Sequence, residues 1–406
     1  MSRRSVVVTG IGVVSPHGDV PDLIFDALMR GESALALWDC PGVPPVVVGT
    51  AAFDPASWFS RGKMAGLDRV SQIAVAAAES ARRDAQWNDT IDPDRAGVYV
   101  GCGMGGAAAI DDAYHRLNNQ QRLSPLTVVA GMTNAPAAHI AMRAGLTGPV
   151  YTYAIACSSS AVAIAEASKA IAYGDLDLAL AGGAEALLVP GVVRAWQALQ
   201  TLATPDADDP SSSCRPFALD RSGFALAEGA AFLVLESMEH AVARGVRCYA
   251  ELAGTGTSCD ATHLTKPDAK GQTRALVAAL QQAGLKPADV GYCNAHGTAT
   301  KVGDIAESLA LRQVWGDDLH RLRVSSTKSM HGHLLGAAGA LEAAITVLAL
   351  RRGQIPPTGQ CHQADPACDL PLIRGQGESA PNLQAAISNS FAFGGTNAVL
   401  AFRRCP

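Results

Sequence analysis

Short apolar runs of strand length alternate along the chain with longer alanine-rich segments of helical period, the pattern of an α/β fold with buried strands. The runs predict strands at 5–9, 96–101, 176–181, 231–235, 290–294 and 386–390. The 3.6-residue repeats predict helices at 70–85, 160–172, 271–283 and 339–352. Polar or proline-rich linkers at 204–215 and 360–371 separate these stretches without the length of a disordered tether. There is also an internal echo. VVVTGIGVVSPHG near the start and CYAELAGTGTSCDATH after position 247 both read as a strand running into a glycine turn, and VYVGCGMGG at 98 matches VGYCNAHGTAT at 290 in the same sense. The echo predicts two related halves, 1–255 and 256–406.

Composition narrows the class. With 48% hydrophobic, 17% charged and only 5% aromatic residues, the core must be built from Ala, Val and Leu. A fibre, a coiled coil and a disordered chain are disfavoured. The 32 basic and 37 acidic residues leave a net charge of −5, which gives no bulk attraction for nucleic acid or an anionic membrane. The apolar stretch 178–193 is interrupted by Glu185, Pro190 and glycines and falls short of the ~20 residues a span needs. MSRRSVVVTG lacks the apolar core of a secretory signal, so a cytoplasmic protein is expected. Ten cysteines occur with no CxxC pair and no zinc-like spacing, and are expected to be mostly buried thiols.

Four segments carry candidate chemistry. In YTYAIACSSSAVAIAEASKAIAYG, Cys157 falls where a β-rich run gives way to a helix, a position where free backbone N–H groups and the helix dipole favour a thiolate. A nucleophile and a buried structural thiol both fit this segment alone. In NAHGTATKVGD, His296 sits just past a strand, among small hydroxyl residues. A cleft histidine and one satisfying loop backbone fit equally. In SSTKSMHGHLLGAAGALEAA, Lys328, His331 and His333 cluster ahead of a glycine- and alanine-rich helix. Two histidines alone, without a third ligand nearby, predict no metal. In SNSFAFGGTNAVLAF, Gly394 and Gly395 permit a mobile lid, a backbone oxyanion donor or an ordinary hairpin.

Taken together and in order, ACSSS at 156, CRPFALDRSGFALAEGA at 214, NAHGTAT at 294, STKSMHGHLLGAAGALE at 326 and NSFAFGGTNA at 389 resemble the elongating, Cys-His-His type of β-ketoacyl-acyl carrier protein synthase. The resemblance runs from VVVTGIGVVSPHG to SFAFGGTNAVL, essentially the whole chain. It implies a thiolase-like five-layer α/β/α/β/α fold of two similar halves. It also implies acyl transfer to Cys157 from the phosphopantetheine arm of an acyl carrier protein, decarboxylation of a malonyl-carrier protein, and condensation to a 3-oxoacyl product two carbons longer, with no cofactor of the enzyme's own.

By the same resemblance His296 and His333 promote decarboxylation and stabilise the enolate, and the backbone N–H groups of Cys157 and Phe393 form the oxyanion hole. Lys328 and Glu342 would order the histidines. Thr298, Thr300 and Thr265 would contact the pantetheine arm, Phe393 would gate the acyl pocket and Met104 would line it. Arg61, Lys63 and Arg122 match the face that docks the acidic carrier, whereas Pro205 stands where relatives often have a basic residue. Departures are KSMHGH where most relatives read KSMTGH, which places His331 beside the site, and Ala392 in place of a glycine before Phe393. Both point toward specialised polyketide or polyene metabolism. A homodimer is expected, with a heterodimer with a chain-length factor as the other arrangement. A non-catalytic chain-length factor would lack Cys157, and a simple decarboxylase would not need it. A degradative thiolase would carry a second catalytic cysteine, which 293, 361 and 368 do not match, and an initiating synthase would have asparagine at His333.

Overall fold

In the computed structural model, which describes residues 3–64, 66–87 and 91–405, ten strands form one continuous sheet. The first five are β1 (Val6–Val14), β2 (Ala96–Gly101), β3 (Val150–Tyr153), β4 (Leu178–Glu185) and β5 (Gly229–Ser237). The second five are β6 (Ala250–Cys259), β7 (Tyr292–Asn294), β8 (Arg323–Ser325), β9 (Ala385–Phe391) and β10 (Thr396–Arg404). Across the first half the order is β3-β2-β4-β5-β1, and across the second it is β8-β7-β9-β10-β6. Adding five to each number of the first order gives the second. The strand directions repeat too: β2 is parallel to β3 and β4, β7 is parallel to β8 and β9, and the last two pairings of each half are antiparallel. The halves join where β1 meets β6, through Val7 opposite Glu251 and Val8 opposite Ala250.

Helices complete five layers. Helix α1 (Arg69–Asp84) covers the outer face of the first half, in a core with Val98, Leu180 and Phe232. Helix α2 (Ser159–Tyr173) and helix α5 (Ala338–Arg352) pack between the halves in the largest core cluster. Helix α3 (Ala269–Ala283) and helix α4 (Lys301–Trp315) cover the outer face of the second half. Small side chains make this stacking possible. Helix α5 buries all thirteen residues from Ala338 to Leu350, and five of these are alanines, which lets it approach sheet and helix at once.

The sequence echo has a packing cause. Expected as a turn, TGIG instead runs straight through β1, and AGTG runs through β6. A Cβ on Gly12 would collide with the backbone of α1 at Ala77 and Ala81. One on Gly256 would collide with α3 at Ala275 and Ala279. Each half therefore uses a glycine on its first strand to seat its outer helix. Other elements missing from the sequence reading include the edge strands β3 and β8, whose runs carry little apolar signal, the interior strand β10 and helix α4. Among the described residues no helix is long and apolar enough to cross a membrane. The cysteines depart from expectation at one place: Cys248 and Cys405 are disulfide-bonded, tying the end of β10 to the approach to β6.

Gly12→Ala and Gly256→Ala should each lower stability by about 1–3 kcal/mol in urea denaturation, because backbone rather than a flexible side chain must yield. Gly62→Ala, where no atom lies within 4 Å of the added carbon and the backbone is helical, should be close to neutral. Equal melts for all three would refute this account of the repeat.

Candidate active site

The two central helices bring their amino termini together at the seam. Before α2, Ala156–Ser158 form a 3-10 turn entered through Ala156 at φ +44°; before α5, Leu335–Ala337 form its counterpart, entered through Leu335 at φ +48°. Both residues hold the left-handed conformation that costs a non-glycine residue roughly 1–3 kcal/mol, a strain the surrounding packing must hold in place. The turn after β3 thus presents Cys157 at the helix start, as the sequence implied.

Three serines explain the rest of ACSSS. Ser158 donates its hydroxyl to the carbonyls of Ser390 (2.8 Å) and Thr396 (2.9 Å), which ties the nucleophile's turn to the β9–β10 hairpin. Ser159 bonds back to Ala156 O at 2.7 Å and accepts from Ile155 N–H at 2.8 Å. Ser160 accepts from Ala340 N–H at 2.9 Å and so links α2 to α5.

Around Cys157 the sequence-predicted residues converge. His333 Nε2 lies 3.0 Å from Cys157 Sγ, and the His296 and His333 rings meet edge to face with centroids 5.4 Å apart. Leu335 N–H donates to His333 Nδ1 at 3.2 Å, so in the neutral ring the proton sits on Nε2 and points at the sulfur. Burial holds His296 and His333 well below the usual histidine range, with the Lys328 cation adding to the effect. Both rings are neutral donors at ordinary pH.

Burial pushes the Cys157 thiol up to about 12, opposed by Lys328 and by the backbone N–H groups of Phe393 and of Cys157 itself. Desolvation therefore outweighs the helix-end effect that the sequence suggested would favour a thiolate.

Lys328 lies behind the histidines. Its ammonium donates to His296 O at 2.7 Å and to the Glu342 carboxylate, and both charged side chains are fully buried. Burial raises Glu342 to about 7 while Lys328 pulls it down. Two further carboxylates escaped the sequence reading. Glu307 accepts the N–H groups of His296 (2.9 Å) and Gly297 (2.7 Å) and the Asn389 amide (2.9 Å), fixing the turn that aims His296. Its signal was a buried stripe of Asp304, Glu307, Ser308 and Leu311 along α4. Glu185, at the end of β4, accepts the N–H groups of Gly103 (2.8 Å), Met104 (3.2 Å) and Gly336 (3.1 Å), joining the two halves beneath the site.

These groups open onto a cavity of about 410 Å³. Thr298, Thr300 and Thr265 line it with Phe393, and the Thr298 and Thr300 hydroxyls bond each other at 3.0 Å. Phe393 stacks on Trp196, with centroids 6.2 Å apart and planes at 26°, while Phe224 meets Trp196 and His333 edge-on. Neither Trp196 nor Phe224 was singled out from the sequence, since lone aromatics carry no spacing signal.

Two expected positions lie elsewhere. Met104 is 53% exposed and does not border the cavity, although its N–H bonds the buried Glu185. His331 is buried but faces away from the cavity. Its nitrogens bond Gly332 O (2.8 Å) and the Thr327 hydroxyl (2.9 Å). Ala392 is buried in the hairpin turn, its N–H on Thr396 O at 2.8 Å. Arg61, Lys63 and Arg122 are exposed, and none pairs with a carboxylate among the described residues. Their segments adjoin: Leu126 reaches the chain at Gly66, so the 61–64 helix and the 122–126 loop share a face. Pro205 is part of the expected linker.

Among the described residues, the Cys157, His296 and His333 ligand atoms form one group compact enough for a metal, within 4.8 Å of one another. A thiol with two imidazole donors is equally the constellation for acyl transfer followed by enolate stabilisation.

Among the described residues Glu185 has no cation partner, and burial raises its carboxyl from 4.5 to about 7 against three N–H donors. A carboxyl raised on folding holds its proton more tightly in the native state, so its contribution is full below pH 4.5 and is lost as pH rises through 7. Relative to Glu185→Gln, wild-type stability should fall by roughly 3 kcal/mol between pH 4.5 and 8 in urea titrations. Parallel curves for the two proteins would contradict a buried, raised Glu185.

Comparison with known proteins agrees with this geometry. The family described as Beta-ketoacyl synthase, N-terminal domain, matches residues 3–241, and its C-terminal domain matches residues 249–362. Nodulation protein E of Rhizobium meliloti is 41% identical over 410 residues, covering 100% of both chains. The 3-oxoacyl-[acyl-carrier-protein] synthase 2 of Staphylococcus aureus is 36% identical over 412 residues, covering 99% of both. Among solved structures, the ishigamide ketosynthase/chain length factor superposes with a TM-score of 0.93 at 33% identity, and a beta-ketoacyl synthase from Burkholderia phymatum with 0.91 at 36%, each covering 100% of both chains. Two half-folds that meet at a buried thiol flanked by two neutral imidazoles, matched end to end by these relatives, place the chain in the beta-ketoacyl synthase family of condensing acyltransferases.

Proposed function

We propose that this enzyme is a 3-oxoacyl-acyl carrier protein synthase in which Cys157 takes the acyl group and His296 and His333 drive decarboxylation. The observation that carries the reading is His333 Nε2–H, held by Leu335 N–H in the donor tautomer, 3.0 Å from Cys157 Sγ. In the first step the Cys157 sulfur attacks the carrier thioester, the carrier thiol leaves with the proton, and the acyl chain stays on Cys157. Malonyl-carrier protein then enters and loses carbon dioxide. The two imidazole N–H groups face the enolate oxygen that forms. Its α-carbon attacks the acyl-Cys157 carbonyl, whose oxyanion meets the N–H groups of Cys157 and Phe393, and the thiolate departs and regains a proton. The amino-terminal half supplies the nucleophile and the carboxy-terminal half the two histidines, with the division near position 255.

No cofactor of the enzyme's own enters this scheme, because the carrier brings the phosphopantetheine arm. Arg61, Lys63 and Arg122 offer cations on one face for an acidic carrier. Lys328 and Glu342 are positioning residues behind His296, and the Lys328 cation also acts on the Cys157 thiol through its charge. We further propose that the enzyme works as a dimer across β3, an edge strand. Val150 and Tyr151 are exposed there, and Tyr114, Leu117, Val128 and Val129 are exposed on the helices that precede it in the chain. A second copy or a chain-length-factor subunit would fit this apolar face.

Incubation with acyl- and malonyl-carrier protein should give acylated Cys157 and a carrier species bearing a 3-oxoacyl chain two carbons longer, both read by mass spectrometry. Cys157→Ala should abolish both products. Release of carbon dioxide by the wild type with neither product, across several starters, would overturn the synthase reading. Lys328→Met removes the cation that lowers the Cys157 pKa, so alkylation of Cys157 by iodoacetamide at pH 8 should slow. An unchanged rate would show that Lys328 does not act on the thiol.

A further inference from the structure

Two residues that line the reaction cavity each hold a buried side-chain polar atom and take no part in the chemistry above. Gln272, on α3, is only 1% exposed, and its Oε1 is buried with no hydrogen-bond partner among the described residues. Thr201, in the chain following the helix Pro190–Ala198, borders the same cavity, and its buried Oγ1 is likewise unpartnered. One comes from each half of the protein. A buried acceptor without a donor destabilises the empty protein, so native interiors retain few of them without a use.

The structure offers two kinds of partner. One is an entering substrate. The other is the β9–β10 hairpin, because Gly271 abuts Asp260 and Asn397, and Asp260 N–H bonds Gly395 O at 2.8 Å. A hairpin rearrangement would reach Gln272, which adjoins it, and would leave Thr201 unsatisfied. An extended arm threading the cavity can meet both.

We propose that Gln272 and Thr201 are substrate-positioning residues that bind the amide groups of the pantetheine arm. The proposal rests on the synthase reading. The arm carries two secondary amides, each presenting one N–H and one C=O. The Gln272 carboxamide oxygen accepts an N–H, and the Thr201 hydroxyl donates to a C=O or accepts an N–H. Thr298 and Thr300, which already bond each other, leave capacity for one amide; Gln272 and Thr201 complete the set for two. Polar recognition of this kind holds the thioester at a fixed depth, which matters when the reacting carbon must sit within about 3–3.5 Å of the Cys157 sulfur.

The test uses three acyl thioesters with the same acyl chain, of pantetheine, N-acetylcysteamine and ethanethiol, which carry two, one and no amides. Acylation of Cys157 is followed by mass spectrometry in the wild type, Gln272→Leu and Thr201→Val. Each variant should raise KM for the pantetheine thioester two- to tenfold with kcat little changed, the loss shrinking stepwise as amides are removed. Losses of the same size for all three thioesters would mean that the side chains hold the hairpin or the core, and would overturn the proposal. An unchanged KM for the pantetheine thioester would overturn it as well. If Gln272→Leu does not fold, Thr201→Val decides the matter alone. A wild type that none of the thioesters acylates would refute the synthase reading itself, and this inference with it.

Discussion

Everything at the centre of this protein depends on burying polar chemistry where two helix amino termini meet. The α2 and α5 termini converge because two similar half-sheets pack back to back on a layer of alanine-rich helix, and at that point Cys157, His296 and His333 are all buried. Burial makes every N–H to oxyanion contact stronger than it would be in water, but it also makes every unpaired charge costly. The molecule meets the second requirement with buried carboxylates given specific partners: Glu307 on the His296 turn, Glu342 on Lys328, and Glu185 on the loops of both halves. None of the three touches the cysteine. Each fixes a piece of backbone or a cation from which the reacting groups are aimed.

Much of the fold was legible because it follows from burial. The strand at 96–101 and the helix at 160–172 were readable to within a residue, since buried runs of Val and Ala leave few alternatives. Edge and short strands were not, because Val150–Tyr153 and Arg323–Ser325 lie partly at the sheet's rim and carry mixed side chains. The glycine pairs were misread in an instructive way. In isolation TGIG looks like a turn; in place, its glycines are the surface on which α1 lies. Only the partner helix distinguishes the two, and no local pattern contains it.

The site divides along the same line. Cys157, His296, His333 and Lys328 sit in short motifs whose residue types announce chemistry. Glu185 is 151 positions from the Gly336 N–H it holds, Glu307 is 82 from the Asn389 amide, and Trp196 meets Phe393 across 197 positions, so contacts of this kind appear only on folding. Met104 shows the opposite failure. Its motif was recognisable, yet the folded chain leaves it 53% exposed and outside the cavity.

The protonation pattern then fixes the division of labour between sulfur and imidazole. Because burial depresses both histidines and raises the thiol, the resting site holds S–H beside neutral rings rather than a thiolate–imidazolium pair. His333 Nδ1 already accepts the Leu335 N–H, which leaves Nε2 as a donor and not as the base for the thiol proton. Such a site gains little from general base catalysis in the acylation step and much from oriented N–H groups when negative charge appears on oxygen. That is the balance a decarboxylating condensation requires, since its hardest intermediate is an enolate, and a protonated histidine beside the enolate carbon would quench it before it could form a bond.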